Sequence, residues 1–131
     1  MRALISVSNK TGIVELCKKL LELNIEIIST GGTGKVLEEN NIKFIPIEKI
    51  TKPPESFGGR MKTISFQIGS AILFKRDNLS DVEEAKKFEI SAIDLVVCNL
   101  YPFLEAQKKV LSDSELIEMI DIGGPTMIRA A

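Results

Sequence analysis

At 131 residues the chain suits one domain able to bury roughly two-thirds of its unfolded surface. It carries 17 Lys and Arg against 18 Asp and Glu, a formal net charge of −1, so no global field draws it to nucleic acid or an anionic membrane. Histidine is absent, which removes Ser-His-Asp and Cys-His catalysis and nearly every zinc or iron site. Proton transfer is left to Lys, Tyr, Asp and Glu.

The elements follow in chain order. "ALISVS" reads as an apolar strand, and "KTGIVELCKKLLELN" as a helix with Ile13, Leu16, Cys17, Leu20 and Leu23 inward. "IEIIST" is a second strand, running into "GGTG" and a short helix, "KVLEENN", with Val36 and Leu37 inward. "KFIPIE" is a third strand. "TKPPESFGGRMKT" breaks the rhythm with prolines and glycines and reads as a surface loop or a turn of helix. "ISFQIGSAILF" predicts a short helix and then a fourth strand. Ser80-x-x-Glu83 reads as the capping box of "DVEEAKKFE", and "AIDLVVCNL" as the most apolar strand, hence central. Ser112-x-x-Glu115 caps "ELIEMI", and a last helix opens at Pro125 behind Gly123-Gly124.

This alternation predicts an α/β fold, an open and mostly parallel sheet with helices on both faces, as a single domain over residues 1–131. No apolar run is long enough to span a bilayer, and "MRALISVSNK" lacks a signal-peptide pattern. Cys17 and Cys98 sit apart in apolar segments and read as buried free thiols of a cytoplasmic protein.

In such a sheet ligands sit beyond the carboxyl ends of the strands. There the chain places "SVSNKTG", "STGGTGK", "CNLYPF" and "DIGGPT", with "GGRMKT" able to fold over the same edge. "STGGTGK" fits neither the Walker pattern nor the dinucleotide fingerprint, because Ser29, Val36 and Leu37 occupy deciding positions. It leaves backbone N–H groups and the Thr30 and Thr33 hydroxyls at a helix N-terminus for one phosphate; the competing reading is a plain tight turn. Arg60 and Lys62, two apart, point the same way from an extended loop and suit an anion, or are merely solvated. Lys10 beside Ser8, Tyr101 at a strand end and Asp121 before the last helix each read equally well as site residues or as structural ones. Gly123-Gly124 ahead of Pro125 has the form of a second anion site.

Taken together, "SVSNKTG", "STGGTGKVLEEN", "GGRMKT", "DLVVCNLYPF" and "IDIGGPTMIRAA" resemble, in order and spacing, the inosine-monophosphate (IMP) cyclohydrolase domain of the bifunctional purine-biosynthesis enzymes, which has a methylglyoxal-synthase-like fold. The resemblance covers essentially the whole chain. It implies ring closure of formylated aminoimidazole-carboxamide ribotide (FAICAR) to IMP with loss of water, without metal or cofactor. It also implies a homodimer, and a transformylase domain or partner chain. By motif, the family's nucleotide contacts fall on Ser8, Asn9 and Lys10; on Thr30, Gly31, Gly32 and Thr33; on Arg60, Met61, Lys62 and Thr63; and on Cys98, Asn99, Asp121 and Ile122. Tyr101 matches the tyrosine assigned near the reacting groups. Lys62, Tyr101 and Asp121 are the expected catalytic residues, with backbone N–H groups around Ile122, Gly123 and Gly124 as oxyanion donors.

Two departures bear on activity. The family's "KTLHPKIHGGIL" is here "KTISFQIGSAIL", without its histidines. The family also continues beyond "RAA" with an alanine and a lysine implicated in proton transfer, so this chain is expected to bind IMP but turn over FAICAR weakly. A non-catalytic purine-nucleotide-binding or regulatory module on the same fold is the alternative. Methylglyoxal synthase itself is disfavoured, because its Gly-Asp catalytic stretch and histidine are missing.

Overall fold

The structure, a computed structural model, describes every residue except Pro54, Glu55, Gly59 and Val110. Three of these belong to the expected loop "TKPPESFGGRMKT", which to that extent lies outside the described residues.

Among the described residues, four parallel strands form the sheet: β1 (Arg2–Val7), β2 (Glu26–Ser29), β3 (Ile45–Pro46) and β4 (Leu95–Asn99), in the order β3-β2-β1-β4. Alternation along β1 divides the core. Ala3, Ile5 and Val7 face α1 (Ile13–Glu22) and α2 (Gly31–Glu39), packing with Ile13, Cys17, Leu20 and Leu37. Leu4 faces the other way, into a cluster with Ile28, Ile47, Ile68, Ala71, Ile93 and Met127. That second face is covered by α3 (Glu48–Thr51), α4 (Phe66–Leu73) and α8 (Gly123–Ala130). The remaining helices are α5 (Leu79–Lys87), α6 (Phe103–Gln107) and α7 (Asp113–Glu118). The expected α/β architecture with helices on both faces is therefore found. No helix among the described residues is long and apolar enough to cross a membrane.

Several local expectations are corrected. β4 is an edge strand, not the centre; β1 and β2 are inside. Its apolar run reflects cover on both faces, since Val97 packs into one cluster and Val96 and Cys98 into the other. Such cover says nothing about lateral neighbours. The strand expected at the end of "ISFQIGSAILF" is the last turn of α4. α5 is capped by Asn78, whose side chain accepts the Ser80 and Asp81 N–H groups, and not by Ser80. Leu23 lies past the end of α1 and is 70% exposed, and Leu16 lies at the margin of the buried stripe at 38%. "GGTG" is no loop but the first turn of α2, and "CNLYPF" leads into the unforeseen α6. The Ser112–Glu115 capping box at α7 is present in both directions.

Candidate functional site

A cavity of about 440 Å³ opens at the carboxyl ends of β1, β2 and β4. Ser6 and Cys98, aligned across β1 and β4, line it together with Met127 of α8. At these positions the strands exchange branched aliphatic residues for small ones, which leaves the space.

One wall is the start of α2. Its N-cap residue Thr30 makes no capping bond, so the Gly31, Gly32 and Thr33 N–H groups lack intrahelical partners. The half-buried Lys10 ammonium donates to the Ser8 carbonyl at 3.0 Å, and a Cβ built on Gly32 would lie 3.9 Å from its nitrogen. A cation placed at the positive end of a helix is unfavourable alone and favourable with an anion between them. The threonine hydroxyls are otherwise employed than expected. Thr33 Oγ1 accepts the Val7 N–H and donates to the Val7 carbonyl, both at 3.1 Å, while Thr30 and Ser6 share a hydroxyl–hydroxyl bond of 3.1 Å. Thr33 thus ties α2 to the end of β1, and what this turn offers an anion is its backbone N–H groups.

Opposite lies the loop before α4. Arg60, Lys62 and the buried Thr63 line the cavity, whereas Met61 between them is 45% exposed and pairs through its backbone with Ser56. Arg60 and Lys62 thus share the cavity, although Thr63 beside Lys62 lines it too, so strict alternation does not run on through the loop. Arg60 Nη1 reaches Glu118 Oε1 of α7 at 2.8 Å.

The third wall is the start of α8. Gly123 and Gly124 approach their neighbours too closely for a side chain: a Cβ on Gly123 would sit 2.7 Å from Thr63 Oγ1, and one on Gly124 2.8 Å from Asp121 Oδ2. The Gly124 N–H donates to Asp121 Oδ1 at 2.8 Å, and Pro125 has no N–H. Of the first turn only the Gly123 N–H remains without an acceptor among the described residues. The second anion site expected here is thus closed by a carboxylate, and the oxyanion donors are fewer than expected.

Beyond β4, the Asn99 carboxamide accepts the Ser8 and Asn9 N–H groups at 2.7 and 2.9 Å and donates to the Asn9 carbonyl at 2.8 Å. Its side chain clasps the β1 loop. Tyr101 lines the cavity and is 47% exposed. Burial, and after it the Asp121 charge, raises the Cys98 thiol, which disfavours its thiolate form.

Of the expected site residues, Ser8, Lys10, Thr30, Gly32, Thr33, Arg60, Lys62, Thr63, Cys98, Asn99, Tyr101, Asp121, Ile122, Gly123 and Gly124 line this one cavity. Asn9, Gly31 and Met61 do not. Sequence reasoning missed Ser6, Glu118 and the apolar wall of Ile117 and Ile120. The signal for the last was faint: Ile117 in α7 and Ile120 just beyond it are both exposed, 64% and 55%, and enter no core.

The family model of the MGS-like domain matches residues 12–126. The chain belongs to the MGS-like domain family. Among solved proteins, the crystal structure of ForH superposes on this MGS-like domain with a TM-score of 0.85 at 32% identity, covering 100% of this chain and 66% of that one. Bifunctional purine biosynthesis protein PurH of Petrotoga mobilis is 51% identical over 131 residues, and that of Bacillus cytotoxicus 53% over 131. PurH of Fusobacterium nucleatum is 53% identical over 130 residues. Each alignment covers 99% of this MGS-like domain and 26% of the relative, so the chain spans about a quarter of the length of the relatives it matches.

Proposed function

We propose that this MGS-like domain is an IMP cyclohydrolase that closes the ring of FAICAR with loss of water. The observation that carries this reading is the convergence of Lys10, Arg60, Lys62, Tyr101 and Asp121 on one cavity beside an uncapped helix start. The PurH relatives support the same reading. In it, the ribotide phosphate lies on the first turn of α2 under Lys10, and Ile117 and Ile120 flank the heterocycle.

The carboxamide nitrogen attacks the formyl carbon, the new C–N bond forms and the carbonyl oxygen becomes an oxyanion. Lys62 and the Gly123 N–H stabilise that charge; one such donor is typically worth about 3 kcal/mol. The carboxamide nitrogen loses a proton and the oxyanion gains one, giving a carbinol. The hydroxyl then leaves as water with a second proton as the formamide nitrogen gives up its own. Tyr101 and Asp121 line the cavity as the groups that pass these protons. Holding both reacting arms of one molecule together lowers the barrier further.

In the context of a longer protein, a transformylase domain and a homodimer belong to the same proposal, as does a cytoplasmic location. One observation favours the alternative, a nucleotide-binding module without turnover: Asp121 occupies the Gly124 N–H that an oxyanion would use. Binding is common to both readings and is tested by titrating IMP calorimetrically and by melting. At a hundredfold excess over Kd the domain should gain about 2.7 kcal/mol. No heat and no shift at millimolar IMP contradict both.

A further inference from the structure

Glu118 is the last residue of α7, where the helix dipole disfavours a carboxylate. α7 buries none of its residues, so packing does not dictate what stands there. Yet Glu118 lines the cavity and holds Arg60 Nη1 at 2.8 Å, across from the loop that carries Lys62. That loop's described backbone bonds are the Ser56–Met61 pair and a long Arg60 N–H to Phe57 carbonyl bond of 3.4 Å, and Phe57 and Gly58 take positive φ values of 55° and 66°. The Arg60 side chain is itself 58% exposed, so packing restrains its rotamer less than it would a buried side chain.

We propose that Glu118 is a positioning residue: it holds the Arg60 guanidinium over the cavity so that the remaining donors of the fork meet the ligand already oriented. This rests on the nucleotide reading above. An exposed ion pair contributes little to folding, so the pair acts on binding geometry. An arginine fixed before binding loses less rotamer freedom when the ligand arrives, which favours association. The two charges also come from separate elements, the loop and α7, so the pair draws the cavity mouth together.

The test has two arms. In the first, the heteronuclear NOE of the Arg60 Nε–Hε group is measured without nucleotide in the wild type, Glu118→Asp and Glu118→Gln. The wild-type value should mark a restricted side chain, Glu118→Gln should fall to the level of exposed Arg129, and Glu118→Asp should keep part of the restriction. An Arg60 signal that Glu118→Gln leaves unchanged overturns the proposal, whatever the ligand. In the second arm, IMP affinity and FAICAR kinetics are measured for Glu118→Gln, Arg60→Ala and the double variant. Glu118→Gln should weaken IMP roughly two- to tenfold, with the loss in KM rather than kcat, and should have no effect once Arg60 is gone. An equal loss in the Arg60→Ala background means that Glu118 acts on its own, and also overturns it. If the wild type fails to bind IMP, the parent reading fails, while the Arg60 signal still decides whether Glu118 positions it.

Discussion

The Asp121 carboxylate accepts the Gly124 N–H at 2.8 Å, closing the first turn of α8 beside Thr63 and Cys98. This one contact serves two readings of Asp121, helix cap and proton carrier. Asp121→Asn keeps an acceptor for Gly124 and should change stability by less than about 0.5 kcal/mol, whereas Asp121→Ala should cost about 1 kcal/mol. Both should lower FAICAR turnover by a factor of about 10² to 10⁴. Turnover intact in Asp121→Asn leaves the residue as a cap alone; urea titration and product formation on the same samples decide it.

Lys10 hangs over the start of α2, which is uncapped. Lys10→Met should weaken IMP about 10- to 100-fold, corresponding to roughly 1.5–3 kcal/mol for a charged hydrogen bond. The residual binding should depend less steeply on salt. Calorimetric titration at two ionic strengths checks both, and unchanged affinity places the phosphate elsewhere.

Thr33→Val should act first on the fold. The hydroxyl lost is the acceptor of the Val7 N–H, both groups are buried, and an unsatisfied buried donor costs about 1–3 kcal/mol. Weaker IMP binding should accompany a lower Tm. A variant with native Tm and reduced affinity alone restores a direct contact between this hydroxyl and the phosphate.

Cys17 supplies a pH dependence with a definite sign. Burial pushes its thiol from 9.0 up to about 11. Below about pH 9 the thiol is protonated in both folded and unfolded chains and contributes no slope. Between there and the folded value the unfolded chain releases a proton that the folded chain keeps, so stability falls as pH rises. The loss by pH 11 is on the order of 2 kcal/mol. In Cys17→Ala, less stable throughout, this component is absent, so the gap between the two proteins should narrow from pH 8 to pH 10.5 in urea unfolding. A constant gap contradicts it.

The parallel α/β class was legible because short apolar runs alternate with helical spacing from "ALISVS" to "KVLEENN". So was most of the site, since the loops that carry it all follow strands or lie against that edge. What stayed hidden depends on non-local packing. Strand order places β4 at the edge, and no local pattern encodes which strand lies beside which. "SAILF" has the composition of a strand, but Ser65 caps a helix through the Ile68 N–H and Leu73 ends it. Glu118 has no sequence signature; its meaning comes from Arg60, 58 residues away. The Thr33 and Asn99 side chains read as ligand contacts because their partners, the Val7 and Ser8–Asn9 backbones, are likewise distant in sequence.

Ring closure in this cavity is read out by incubating the domain with FAICAR and following IMP by NMR or absorbance. Catalytic formation of IMP is expected, more than one equivalent per protein, lowered about a hundredfold or more in Lys62→Ala through loss of an oxyanion donor. IMP that binds with measurable affinity while FAICAR is left unconverted contradicts ring closure here and leaves a purine-nucleotide-binding module on this fold.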